Sequence, residues 1–193
     1  MKTPTRDELI QRVRLYYPSG SVWNDEQHGR SPERLRLNAL WNDILPVYHE
    51  TEWARLIDEL QRAVAPLMIG DATAPRDDGG FRCTVYRRDP AADLTTIVVG
   101  CVSLIAPVYT IYVARVDINR TRIPTLFFDP LPEDTRATAE IVASVIEKHF
   151  PYARLPYAMT STPTPDLLLT VPSKDGKATL LHTLFTDTPE SLP

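Results

Sequence analysis

The chain has 193 residues, of which 43% are hydrophobic and 24% charged, and it carries a net charge of −4 at neutral pH. That length suits a single domain, and the hydrophobic share is ordinary for a soluble globular protein. The acidic balance disfavours nucleic-acid binding, which requires a basic surface against phosphates, and would suit a basic protein partner instead.

The N-terminal stretch MKTPTRDELIQRVRLYY lacks the apolar core of a secretory signal. With only two cysteines, Cys83 and Cys101, too few for a disulfide framework, this gives an expected location in a reducing cytoplasm. The stretch reads as a helix start, because Thr5 and Glu8 have capping-box spacing and Leu9, Ile10, Val13, Tyr16 and Tyr17 share a face. Ser31 and Pro32 open a second helix with Leu37, Leu40, Trp41, Ile44 and Leu45 as its stripe, ended by Pro46. Thr51 caps a third, with Trp53, Leu56, Ile57, Leu60 and Val64 on its apolar side. In HETEW (His49 to Trp53), Trp53 stands where a zinc-binding HExxH motif needs its second histidine. An indole nitrogen only donates, so the pattern predicts a buried tryptophan and not a metal ligand.

Thr95 to Ala114 contains no charged side chain and is long enough to cross a bilayer as a helix. Its density of β-branched residues, its interruptions at Gly100 and Pro107, and strand-like neighbours on both sides predict a sheet centre. Those neighbours are Phe81 to Arg88, which follows the turn-like Asp77-Asp78-Gly79-Gly80, then Arg115 to Ile118, and Ile123 to Pro130. A helix is expected from near Glu133 to about Phe150, with Ile141, Val142, Val145 and Ile146 toward the sheet. Residues 151–166, with four prolines, read as a long irregular connection. Leu167 to Val171 and Ala178 to Phe185 read as a hairpin around Lys174-Asp175-Gly176-Lys177.

The order predicts one α+β domain over 1–193, with a mainly antiparallel sheet of about six strands. That sheet packs against an N-terminal three-helix segment (1–70) and one later helix inserted within 80–186. Helices cover one face, and 187–193 form a frayed tail.

No GxGxxG, GxxxxGK[ST] or GxSxG occurs, and the four histidines show no HxH or HxxxH pair. The expectation is therefore no cofactor and no metal. Cys83 and Cys101 lie in apolar stretches and read as buried, inert thiols. Asp129 ends a strand near Glu133 and Asp134, where it serves a turn or acts as a general base; a hydrolase would pair it with His149 or His182. The residues assigned to partner binding are Asp58, Glu59, Asp77 and Asp78, forming an acidic docking face (joined by Asp25 and Glu26), together with Arg154 and Tyr157 beside the hydroxyl-rich MTSTPT. The leading functional expectation is a non-catalytic cytoplasmic protein-binding module without membrane attachment, of the bacterial immunity or adaptor kind. The alternatives are the hydrolase, and a small-ligand binder or sensor with a cavity beneath residues 151–166.

Overall fold

The structure, a computed structural model, describes residues 3–20, 29–89, 93–117, 121–164, 166–169 and 178–192. The expected turn around Lys174, the Asp25–Glu26 pair and the distal part of the expected hairpin strand up to Val171 lie outside them.

Three helices precede the sheet. In α1 (Arg6–Val13) the Thr5 side chain accepts from the Glu8 N–H, and the Glu8 carboxylate accepts from the Thr5 N–H at 2.6 Å, which satisfies two end groups of the helix at once. Ser31 caps α2 (Pro32–Ile44) by accepting from the Arg34 N–H at 3.1 Å, and a 3-10 turn over Leu45–Glu50 leads to α3 (Glu52–Ala63), capped by Thr51. Each turns its expected stripe inward: Leu9 and Val13, then Leu37 and Trp41, then Trp53, Leu56 and Leu60 are all buried.

The sheet runs in the order β1 (Met68–Asp71), β2 (Gly80–Asp89), β3 (Leu94–Ser103), β4 (Val108–Asp117), β5 (Thr121–Phe127), each strand antiparallel to the next. A two-residue β6 (Ala153–Arg154) joins β4 in parallel. The uncharged Thr95 to Ala114 segment is thus two paired strands around a tight turn, with Val98 opposite Val113 and Gly100 opposite Ile111. Among the described residues, no helix is long and apolar enough to cross a membrane.

The absence of charge in this segment follows from burial on both faces of the sheet. On one side α4 (Arg136–His149) packs so close that a Cβ added at Gly100 would stand 2.8 Å from Val142 Cγ1 and 3.0 Å from Cys83 Sγ. On the other side Val99, Cys101 and Tyr112 are buried, and the Tyr112 hydroxyl donates to the Pro189 carbonyl at 2.9 Å. A strand covered on both faces loses the polar–apolar alternation of a half-exposed one. Cys83 and Cys101 project to opposite faces, because Cys83 lies opposite Gly100, the neighbour of Cys101, and Cys101 lies opposite Arg82. Both are free and buried, and burial pushes the Cys83 thiol up to about 12.

Four segments depart from the pattern that periodicity predicts. β1 was not anticipated, being four residues long with no alternation to reveal it. Ile141 is 38% exposed, because the stripe that meets the sheet runs through Ala139, Val142, Ala143 and Ile146, and position 141 is rotated about 100° away from 142. Leu180 to Leu184 form a short helix, α6, where a strand was expected, and Leu167 makes only an isolated bridge to Ser19. A short buried apolar run does not distinguish these alternatives by periodicity. Finally, Asp187 to Pro189, expected within a frayed tail, is seated: Asp187 is buried and Pro189 holds Tyr112. Between β6 and α6 the chain makes one further helical turn, α5 (Tyr157–Thr160).

Candidate ligand cleft

The outer edge of β4 is shared by two strands that do not meet. β6 holds the first part, where the Ala153 N–H donates to the Pro107 carbonyl (3.1 Å) and the Leu155 N–H to the Tyr109 carbonyl (2.8 Å). β5 holds the far part, with Phe127 opposite Val113. Hydrogen-bonding direction alternates along a strand, so the Ile111 N–H and C=O point to the same edge as those of Tyr109 and Val113. The register places Ile111 after the last β6 contact and before the first β5 contact, without a ladder partner on this edge among the described residues.

A cleft of about 280 Å³ opens at this gap, lined by Thr110 and Ile111 of β4, by Phe128, Asp129 and Leu131 after β5, and by Arg154 to Tyr157. Phe128 and Tyr157 stack with ring centres 4.7 Å apart and planes 16° apart, and Phe128 leans on buried Tyr112 at 5.4 Å. This aromatic pile is a firm apolar wall with one exposed face, since Tyr157 is 42% exposed. Arg154 donates from one terminal nitrogen, Nη1, to Glu140 at 3.2 Å, and a guanidinium has further N–H donors to offer. Asp129 is exposed and, among the described residues, is in no hydrogen bond or ion pair.

Three expected site residues, Asp129, Arg154 and Tyr157, therefore converge, beneath the start of the 151–166 connection. The signal for Phe128 was present in the Phe127-Phe128 pair, because adjacent strand residues face opposite sides and one ring had to leave the core face. Nothing in the sequence marks Ile111, whose role depends on where two other strands end.

The remaining residues are placed elsewhere. Neither His149 nor His182 lines the cleft. His149 Nδ1 lies 2.5 Å from Glu52 and its Nε2 3.0 Å from Glu59, an arrangement in which only the imidazolium donates from both nitrogens. This pair of contacts ties α4 to α3; Lys148 reaches the same Glu59 at 2.7 Å. The His149 bond holds the Glu52 carboxyl below its usual range, and the Lys148 and His149 bonds do the same for Glu59. His182 Nδ1 accepts from the Thr179 N–H at 3.2 Å, and burial lowers its pKa. Asp134 is gripped by Arg87 and Arg115, the latter at 2.5 Å. Among the described residues, no three His, Cys, Asp or Glu side chains stand close enough to hold a metal ion.

Among the described residues, the acids expected in a docking face are differently engaged. Asp58 is exposed, Glu59 is occupied by α4, Asp77 lies 3.6 Å from Arg34, and Asp78 is fully buried. Asp78 belongs to an interior polar cluster: its Oδ2 accepts from the Ala74 N–H at 3.2 Å and stands 3.9 Å from buried Arg82, while its Oδ1 has no hydrogen-bond partner among the described residues. Burial raises the Asp78 carboxyl to about 6, against the opposing pull of Arg82. The folded state therefore favours the protonated acid, and stability falls as pH rises from the unfolded value through about 6. Measured by urea unfolding against the Asp78→Asn variant, the protein should lose about 2 kcal/mol of relative stability between pH 4 and 7. A flat difference across that range would show that Arg82 fully compensates the buried charge.

No family model, no curated protein and no solved structure matches this chain.

Proposed function

We propose that the protein is a non-catalytic cytoplasmic recognition module that takes a small polar ligand in the cleft at the β4 edge. One observation carries this reading: a strand-edge peptide, an unengaged carboxylate, a guanidinium with spare donors and a stacked aromatic pair surround a single 280 Å³ space. Concave sites with an apolar wall and a few convergent polar groups are where small ligands bind. Catalysis has less support, because a general base needs a nucleophile or a second proton carrier within hydrogen-bond reach. The histidines that would serve Asp129 are bonded to Glu52, Glu59 and Thr179. The protein-partner form of the reading, an immunity or adaptor role, has less support as well, since its acidic residues are dispersed or buried.

Dialysis of the protein against a metabolite extract, followed by mass spectrometry of retained solutes, tests the proposal. A small polar solute should be enriched, and Leu131→Trp, which fills the cleft, should abolish the enrichment. Enrichment that survives Leu131→Trp would place the site elsewhere. Recovery of a stoichiometric protein and no solute would return the function to partner docking.

A further inference from the structure

We infer that the cleft takes a free α-amino acid, its carboxylate held by Arg154 and the Ile111 N–H and its ammonium by Asp129 and the Ile111 carbonyl. The inference rests on the binding reading above and names its ligand class. Its basis is the order of the polar groups along β4. Within any residue of a strand the N–H precedes the C=O along the chain. At Ile111 the N–H is therefore on the side of Tyr109, where β6 brings Arg154, and the C=O is on the side of Val113, where β5 delivers Asp129. Both donors gather at one end of the gap and both acceptors at the other.

That polarity matches a ligand with an anionic and a cationic group a few bonds apart. A simple carboxylate would leave Asp129 facing it without a partner, and a simple amine would leave the donors of Arg154 not used by Glu140 unmatched. An internal peptide segment does not fit, because β5 and β6 occupy the edge on either side and leave only Thr110 to Tyr112 open, with Ile111 alone directed to that edge. The space, about 280 Å³, lies at the lower limit for ligand pockets and suits a molecule of amino-acid size. The Phe128–Tyr157 stack and Leu131 line the same space, so an apolar or aromatic side chain is the best complement.

The test is a nuclear magnetic resonance titration of the isotope-labelled full chain with L-phenylalanine and L-leucine, and with N-acetyl-L-phenylalanine and L-phenylalaninamide as single-charge controls. The free amino acids should shift the Ile111, Asp129 and Leu155 amides saturably, and each control should bind roughly tenfold or more weakly, as expected for loss of one charge-assisted contact. Asp129→Asn should erase the preference over the N-acetyl form, and Arg154→Gln the preference over the amide. A loss of general packing would instead weaken all four ligands together, and that result would overturn the assignment, as would controls that bind as well as the free amino acids. If the amino acids shift nothing while a solute retained in dialysis shifts the cleft amides, the ligand class falls and the binding reading stands. If neither shifts them, both fall.

Discussion

Arg82→Met should lower the melting temperature by roughly 10 °C or more, through a loss of about 3–5 kcal/mol. Arg82 is 4% exposed; its Nε donates to the Ala72 carbonyl at 2.9 Å and its Nη1 to the Thr188 carbonyl at 3.0 Å. It is also the cation nearest to the Asp78 carboxylate, which is fully buried and has one oxygen without a partner among the described residues. Methionine preserves most of the arginine stem and its packing but removes the charge. The loss therefore reports an uncompensated carboxylate and two orphaned carbonyls, and not a cavity. A domain has a margin of about 5–15 kcal/mol, so much of it would be consumed. The double variant Arg82→Met/Asp78→Leu separates the causes. If the buried carboxylate dominates, the second substitution should restore part of the loss, and thermal unfolding of the four proteins gives the coupling directly. Additive losses would assign the effect to the carbonyls of Ala72 and Thr188.

Trp53→Ala should cost a similar 3–5 kcal/mol, and Trp53→Phe much less. The indole is fully buried and lies on the Phe81 ring with centres 4.9 Å apart and planes 10° apart, joining α3 to β2. Its Nε1 donates at 3.1 Å to Asp71, which also accepts the Tyr48 hydroxyl at 2.6 Å. Truncation removes the largest side chain at the contact between α3 and the sheet, leaving a void the helix closes only in part. Phenylalanine refills most of the space and retains a ring against Phe81, so the difference between the two variants isolates the volume from the hydrogen bond. Chemical denaturation with unchanged slope is the appropriate readout, since a changed slope would indicate an altered denatured state. Equal destabilisation by both variants would make the Asp71 bond, and not packing, the main contribution.

The two substitutions probe features that were legible in the sequence to different degrees. Trp53 fell on the apolar stripe of a helix with a Thr51 cap, and the structure places it there, because local rules of capping and periodicity act within a few residues. Arg82 and Asp78 were not legible. In sequence, Asp78 sits between a charged residue and two glycines and reads as a solvated turn acid. It is buried because the segment after α6, a hundred residues later, closes over it, with Thr186 and Asp187 buried there as well. The α6 segment reads as a strand in sequence but folds as a helix, since a short run of mostly buried residues fits either state until its neighbours are known. The cleft divides in the same way. Asp129, Arg154 and Tyr157 stood out as polar or amphipathic residues in irregular connections, but their convergence depends on β5 and β6 docking on one edge of β4.

By itself the sequence determined what local chemistry and composition can determine: the three capped N-terminal helices, an α+β class, and a strand-forming centre where β-branched residues crowd a run without charge. Tertiary structure decided everything that depends on pairing over distance. It set the second covered face of the sheet, the burial of the Asp78 carboxylate, the separation of Asp129 from both histidines, and the gap in edge pairing around Ile111. The reason is physical: capping and periodicity act between residues three or four apart, whereas register and the ends of strands are fixed only when distant segments compete for the same edge.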